Sequence, residues 1–233
     1  MRRPPPLDLR ALRLAAGAVL LLACCGRAAS CGAHPPSAPA PSCAAKALTA
    51  TRAARAPTPD GKLDEPDWVR AGSTGAFVDA TGAGALVAHT EARVLWDDAG
   101  LYLALYAADE DIGDDDHLDV TLAGADGGVF TWELPPNGKV RCRLGKGACG
   151  PMAGVTGAAD SDGTLNDSSD DDEEWTAEVA IPWAALGASA PPARLAINFG
   201  RTDRPKGHPQ RRLAWSLPCG ADALGVVVLD PAR

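Results

Sequence analysis

Apolar and polar residues alternate along the stretch from Ala92 to Leu122, and this period predicts three consecutive β-strands. In the second strand, Leu101, Leu103 and Leu105 share one face, and the residues between them are mostly apolar as well. A strand that is apolar on both faces is expected near the middle of a sheet. An acidic bend from Asp109 to Asp116 separates it from the third strand.

The same two-residue period returns further along the chain, in short segments separated by turn residues. Val129 to Leu134 alternates, and Asn137-Gly138 predicts a hairpin turn into a strand that ends at Leu144. Further strands are predicted at Trp175 to Ile181, Leu195 to Phe199, Leu213 to Leu217 and Gly225 to Leu229. Gly150 to Glu174 is acidic and lacks a period, so it is interpreted as a long surface loop with one short strand at most. Many short strands and almost no helix predict an all-β fold, an antiparallel β-sandwich of two sheets.

The chain opens with a positively charged segment and a short apolar run. Four arginines precede the run from Leu14 to Leu22, and Leu21-Leu22-Ala23-Cys24 follows. The run is too short to span a membrane. Leu-x-Ala-Cys resembles the lipobox of bacterial lipoproteins, which would make residues 1–24 a signal peptide and Cys24 the lipid-carrying residue in the cell envelope. The alternative is an ordinary secretory peptide that is cut elsewhere.

Composition then changes twice along the chain. Residues 25–58 are rich in Ala, Pro and Ser without an apolar period, which predicts an extended, mobile tether. Residues 59–233 suffice for one domain with a core. The first 58 residues carry a net charge of +7 and the remainder −15. An acidic domain disfavours nucleic acid and anionic lipid as partners, so membrane contact is expected through the lipid anchor alone. The negative charge of the domain suits neutral ligands or cations as partners. A role of this charge in solubility explains it equally well.

The chain has seven cysteines, and lipidation of Cys24 would leave an even number for disulfide bonds. Cys142 and Cys149 flank a predicted turn and could close a hairpin disulfide. Cys219 could instead pair with one of them. Zinc at these thiols is disfavoured, because no CxxC pair exists and no histidine lies near them in the sequence.

Six segments occur in an order that resembles a known family. They are DGKLDEPDW, VLWDDAGLYLALYAAD, the D-x-L-D-V strand, WTAEVAIPWAALG, LAINFGRTD and AWS, between Pro59 and Leu229. Together they resemble a family 9 carbohydrate-binding module, a DOMON-like, jelly-roll-type β-sandwich. The resemblance implies two packed sheets, often with structural calcium, in a family whose members bind sugars. Some cousins of the fold bind haem.

The resemblance also implies which residues would hold a sugar. Two tryptophans sandwich the sugar ring in the best-known members, but their places here fall near Gly113 and near Cys219, and neither is aromatic. Glu133 stands where those members have a basic residue. The predicted ligand-binding residues are Asp119, Trp132, Asn198, Arg201 and Asp203, with Trp132 as the substitute aromatic ring.

The acidic bend offers oxygen ligands for a calcium ion. Asp109, Asp111 and Asp116 are the predicted ligands, because calcium is bound by several oxygens from a tight loop. The alternative is a solvated acidic loop without an ion.

The sequence shows none of the catalytic motifs that would indicate an enzyme, such as a nucleophile elbow, HExxH, a P-loop or GxGxxG. We therefore expect a non-catalytic carbohydrate-binding module on a lipid-anchored envelope protein that is linked to polysaccharide breakdown. One alternative is a structural or protein-docking module that has lost its sugar site. A haem carrier is the third hypothesis, and no haem is expected because Met152 has no convincing axial partner.

Overall fold

The computed structural model describes residues 45–81, 87–144, 147–148, 153–217 and 224–230. These residues form strands and two short 3-10 turns at Pro66–Arg70 and Trp183–Leu186. The strands are β1 (Ala47–Arg52), β2 (Gly72–Ser73), β3 (Val78–Asp79), β4 (Thr90–Trp96), β5 (Gly100–Ala108), β6 (His117–Ala123), β7 (Val129–Leu134), β8 (Arg141–Leu144), β9 (Gly147–Ala148), β10 (Thr156–Asp162), β11 (Glu174–Pro182), β12 (Arg194–Asp203), β13 (Arg211–Ala214) and β14 (Gly225–Leu229). No helix in the described residues is long and apolar enough to cross a membrane.

The strands form two sheets that share one strand. The first sheet has the order β10-β11-β5-β4, with β2 also paired to β4. The second has the order β14-β12-β6-β7-β8-β9, with β13 also paired to β12 and β3 paired to β13. Strand β1 pairs with β14 over its first residues and with β4 over its last two. The predicted all-β sandwich is confirmed, although both pairings of β1 are parallel rather than antiparallel.

The core lies between the sheets and is built from alternate residues of their strands. Leu101, Leu103 and Leu105 of β5 are fully buried, in agreement with the predicted central strand. Leu118 and Val120 of β6 enter the same core from the second sheet. Burying side chains of this size contributes about 1.5–3 kcal/mol each, so the two-residue period is the main source of the fold's stability.

Strand β1 corrects the predicted boundary of the tether. Ala47–Arg52 lies inside the segment 25–58 that was expected to be extended and mobile, yet it is hydrogen-bonded to both sheets. Leu48 and Ala50 are buried in the core. The prediction is therefore wrong for these residues, because small Ala and Thr side chains give the strand only a weak apolar period.

Strand β10 corrects the predicted loop between Gly150 and Glu174. Thr156–Asp162 pairs along its whole length with β11, from Thr156 opposite Ala180 to Asp162 opposite Glu174. The strand lies at the end of the first sheet and its side chains are mostly exposed or half-buried. An edge strand made of small and polar residues leaves no apolar pattern from which it could be predicted.

A second apolar cluster covers the outer side of the first sheet. Trp68, in the first 3-10 turn, packs there with Tyr102. The carboxylate of Glu178, on the neighbouring strand β11, is buried below it. Glu178 accepts hydrogen bonds from Trp68 Nε1 at 2.8 Å and from the backbone N–H groups of Asp60 and Gly61 at 3.1 Å. Burial disfavours the charged form and raises the pKa of Glu178 to about 7.

The side chain of Arg201 crosses the core from the second sheet to the first. It begins on β12, and its Nη1 donates to the carbonyl oxygen of Ala108 at 2.6 Å and to Thr90 Oγ1 at 3.2 Å. Its Nη2 lies 2.8 Å from Asp109 Oδ2, and Trp175 Nε1 donates to the same oxygen at 3.3 Å. A buried charge is tolerated only with such partners, so this group fixes the ends of β4 and β5 to β12.

We predict that ionisation of Glu178 lowers the free energy of unfolding as the pH rises. The pKa of Glu178 is raised from its ordinary value of 4.5 to about 7, so the folded protein binds this proton more tightly than the unfolded chain does. The stability that the bound proton contributes is fully present below about pH 4.5 and is lost as the pH rises through about 7. In Glu178→Gln the titrating group is absent. Urea unfolding should therefore show the variant gaining stability relative to the unmodified chain across this pH range. Glu110→Gln, at an exposed glutamate, should show no such gain.

We also predict that Arg201→Met lowers the free energy of unfolding by about 3–5 kcal/mol, because it leaves the buried Asp109 carboxylate without its cation. Arg212→Met is the matched control at an exposed arginine of β13, and its effect should stay within about 0.5 kcal/mol. Urea titration of both variants measures the difference. Equal stabilities would show that Arg201 does not hold the sheets together.

Candidate functional site

The outer face of the second sheet carries a row of polar side chains. On β6, Leu118 and Val120 point into the core, so Asp119 and Thr121 lie on the opposite face. Asp119 is paired with Glu133 of β7, and Thr121 is paired with Thr131. The two threonine hydroxyls are 3.0 Å apart. We call this row of β6 and β7 side chains the polar face.

Two carboxylates and one imidazole converge on the polar face. His117, Asp119 and Glu133 each offer one donor atom, and these atoms all lie within 4.8 Å of one another. His117 Nε2 is 3.7 Å from Asp119 Oδ1, and Arg141 Nε is 3.7 Å from Glu133 Oε2. The side chain of Asp119 is 26% exposed, so a ligand in solvent can reach it.

Gly200 lies beside Asp119 on the neighbouring strand. It is paired with Asp119 across β12 and β6. A Cβ atom at this position would lie 3.5 Å from the Asp119 side chain and 3.3 Å from the carbonyl oxygen of Leu213. The absence of a side chain therefore leaves the space next to the carboxylate open on one side.

Of the predicted sugar ligands, Asp119 alone lies on this face with an accessible functional group. Trp132 is 1% exposed and packs in the core beside Phe130, with ring centroids 6.1 Å apart, so its predicted role as an aromatic platform is wrong. Arg201 and Asp203 are buried as well. Their strand alternation places them on the core side of β12.

Asn198 lies on the outer phase of β12, but the protein itself uses its amide. Nδ2 donates to the carbonyl oxygen of Ser216 at 2.9 Å, and Oδ1 accepts from the backbone N–H groups of Ser216 and Phe199 at 3.0 Å. These bonds hold the segment after β13 against β12. A sugar would have to break them to use this side chain.

The sequence did not identify His117 and Glu133 as site residues. Glu133 was interpreted only as standing in the place of a basic ligand, and His117 was not singled out. Both could have been found from the register, because a short hairpin between β6 and β7 places Glu133 opposite Asp119, and His117 shares a face with Asp119 two residues away.

An acidic cleft of about 910 Å³ opens near the end of β5 and β12. Its lining includes Asp109, Asp111, Asp203, Lys206 and Arg201. Nε of Arg201 and Oδ1 of Asp203 are buried without a hydrogen-bond partner. Burial raises the pKa of Asp203, and the positive charge of Arg201 partly offsets this rise.

The predicted calcium ligands are occupied by donors from the protein. Asp111 accepts from the backbone N–H of Lys206 at 2.7 Å, and Asp116 accepts from those of Gly113 at 2.7 Å and Arg204 at 2.6 Å. Burial raises the pKa of Asp116 to about 6. Together with Asp109, which pairs with Arg201, these residues join neighbouring loops and do not form a converging ligand set. Calcium binding remains a prediction from the family resemblance.

The predicted cysteine chemistry falls mainly outside the described residues. Cys142 is disulfide-bonded. Cys149 and Cys219 lie outside the described residues, so the predicted pairing of Cys142 with Cys149 remains a prediction. The predicted lipidation site, Cys24, lies outside them too.

Tryptophan does not contribute to the polar face. All six tryptophans are at most 5% exposed. The arrangement thus offers hydrogen-bond acceptors, an imidazole and a guanidinium to a ligand, but no stacking platform from tryptophan.

No family model matches the sequence, and no curated protein matches it. Solved structures do match. A candidate carbohydrate-binding protein from Bacteroides uniformis has a TM-score of 0.59 at 13% identity, over 80% of this chain and 100% of that one.

A family 9 carbohydrate-binding module from Caldicellulosiruptor kristjanssonii matches in two complexes. With cellotriose the TM-score is 0.58 at 12% identity, over 81% of this chain and 95% of that one. With glucose the TM-score is 0.59 at 12% identity, over 81% of this chain and 97% of that one. At such low sequence identities, the matches show a shared fold and nothing more. The resemblance predicted from the order of the six segments is confirmed at that level, and the chain has the fold of the family 9 carbohydrate-binding modules.

Proposed function

We propose that this chain is a non-catalytic carbohydrate-binding module that holds a sugar on the polar face. The observation that carries the proposal is the partly exposed carboxylate of Asp119, which faces Glu133 on a fold shared with sugar-binding modules. Asp119 occupies the position of the carboxylate that the family resemblance assigns to the ligand.

The chemistry of the polar face suits sugar hydroxyl groups. Carboxylates accept hydrogen bonds from neighbouring sugar hydroxyls. The exposed guanidinium of Arg141, beside Glu133, can donate a hydrogen bond to the oxygen of another hydroxyl. Each such bond replaces one to water, so its net contribution is about 1.5–3 kcal/mol. Without a stacked tryptophan, binding depends on these few polar contacts, and we expect it to be weaker than in a module that clamps the ring.

Burial of all six tryptophans favours a second candidate, a protein-docking or structural module. Such a module needs a contiguous apolar surface. The exposed large hydrophobic residues in the described part of the chain are Val69, Val78 and Val129, which lie in a 3-10 turn, in β3 and in β7. Scattered residues of this kind do not build a docking face. A haem carrier would show a Soret band in the absorption spectrum of the purified protein.

We further propose that the module is attached to a membrane of the cell envelope through lipid on Cys24. The lipobox-like Leu21-Leu22-Ala23-Cys24 supports this proposal. Because β1 belongs to the sandwich, the proposed tether is shorter than the sequence suggested and ends before Ala47. A role beside enzymes of polysaccharide breakdown would follow from sugar binding at such a surface.

Sugar binding is tested by glycan-array screening and by calorimetry with cellotriose. We expect the full chain to bind, and Asp119→Asn to weaken binding about tenfold or more, because one charged hydrogen-bond acceptor is lost. Asp126→Asn, at an exposed aspartate in the turn after β6, is the control and should bind normally. If the unmodified chain binds no glycan, sugar recognition is excluded. Capture of one envelope protein that sugar does not displace would then favour docking.

Lipid attachment is tested by comparing Cys24→Ala with Cys25→Ala. We expect Cys24→Ala to move the protein from the membrane fraction to the soluble fraction, because each buried CH₂ of an acyl chain contributes about 0.8 kcal/mol. Cys25→Ala should stay with the membrane. Mass spectrometry of the mature N-terminus identifies the lipid, and an unlipidated N-terminus cut at another position would support the secretory alternative.

A further inference from the structure

We propose that His117, Asp119 and Glu133 bind a divalent transition-metal ion of the Zn²⁺ class on the polar face. Their donor atoms lie within 4.8 Å of one another, and no other group of three such residues in the described part of the chain meets this distance. The site differs in place and in ligand chemistry from the calcium site predicted at Asp109, Asp111 and Asp116.

The sheet holds the three side chains in place before any ion binds. His117 and Asp119 are two residues apart on β6 and therefore project from the same face. Glu133 is directly opposite Asp119 on β7, and Cβ atoms of such pairs lie about 4.5–5.5 Å apart. Strand pairing thus keeps the ligands together without a flexible loop, which lowers the entropic cost of binding an ion.

The hydrogen bonding of His117 directs one ring nitrogen toward the carboxylates. Nδ1 lies 3.2 Å from the carbonyl oxygen of Asp115, and a carbonyl can only accept, so Nδ1 carries the proton. Arg204 Nη1 donates to the same carbonyl at 3.0 Å. When the ring is neutral, its lone pair is then on Nε2, the nitrogen that lies 3.7 Å from Asp119 Oδ1. A backbone carbonyl behind the imidazole is the arrangement that orients histidine ligands in metal sites.

The spacing also fits an ion better than a direct contact. Nε2 and Asp119 Oδ1 are 3.7 Å apart, which is too long for a hydrogen bond. Two ligands at about 2.0–2.1 Å from one tetrahedral ion are about 3.4 Å from each other. The three donor atoms lie within 4.8 Å of one another, so the side chains would move inward to bind one ion.

The ligand types decide the class of ion. Imidazole favours zinc and its neighbours, and carboxylates balance the charge, whereas calcium requires six to eight oxygens. The side chains of His117, Asp119 and Glu133 are 15%, 26% and 11% exposed, so the ion would keep an open position toward solvent. The competing arrangement is a protonated His117 that pairs with the carboxylates without an ion.

This inference does not depend on sugar binding, although Asp119 belongs to both proposals. The test is calorimetric titration of the full chain with ZnCl₂. We expect one site, and at least about a tenfold loss of affinity in each of His117→Ala, Asp119→Asn and Glu133→Gln. His208→Ala, at an exposed histidine, is the matched control and should bind as the unmodified chain does. Circular dichroism confirms that every variant is folded.

Cobalt substitution identifies the ligands. A Co²⁺ spectrum with d–d bands but without thiolate charge transfer supports the site, and thiolate charge transfer would assign the ion to cysteines and overturn it. Equal Zn²⁺ affinity in His117→Ala and the unmodified chain would also overturn it, as would Ca²⁺ binding as tightly as Zn²⁺. Zinc binding without glycan binding would support the metal site and overturn sugar recognition. Glycan binding without zinc binding would overturn the metal site and support sugar recognition.

Discussion

The two sheets are joined by a guanidinium that lies entirely inside the protein. Arg201 leaves β12, reaches the ends of β4 and β5, and is neutralised by Asp109, which also accepts from an indole N–H. Replacing any one of these partners would leave a charge or a donor uncompensated in the core. The acidic cleft beside this network is shaped by the same residues, so the architecture and the electrostatics of that end of the sandwich cannot be changed separately.

The fold was predictable from the sequence wherever burial imposes a two-residue period. β5, β6 and β11 carry large apolar residues at alternate positions, and the structure has strands at those places. β1 and β10 were missed for a common reason. Their side chains are mostly small or polar, and both strands are held by backbone hydrogen bonds to a neighbouring strand. Backbone pairing of this kind leaves no mark on local composition.

The candidate site was predictable only in part. Asp119 could be found from its motif, whereas Glu133 and His117 required knowledge of the strand register. Trp132 shares its alternation phase with Leu134, which already indicated the core rather than the surface. Arg201 was misread because a polar residue in a strand suggests a ligand contact, and its buried partner Asp109 is far away in the sequence. A single sequence does not disclose such a pairing.

The parallel pairing of β1 with β14 determines how the molecule bears mechanical load. Ala47 is next to Val226 and Ala50 is next to Leu229, so the chain enters the sandwich at one end and leaves β14 at the other. Tension between the two ends of the domain would slide β1 lengthwise along β14 and β4. The hydrogen bonds of β1 would then be loaded together and not broken one by one. A sandwich with this geometry resists unfolding under tension.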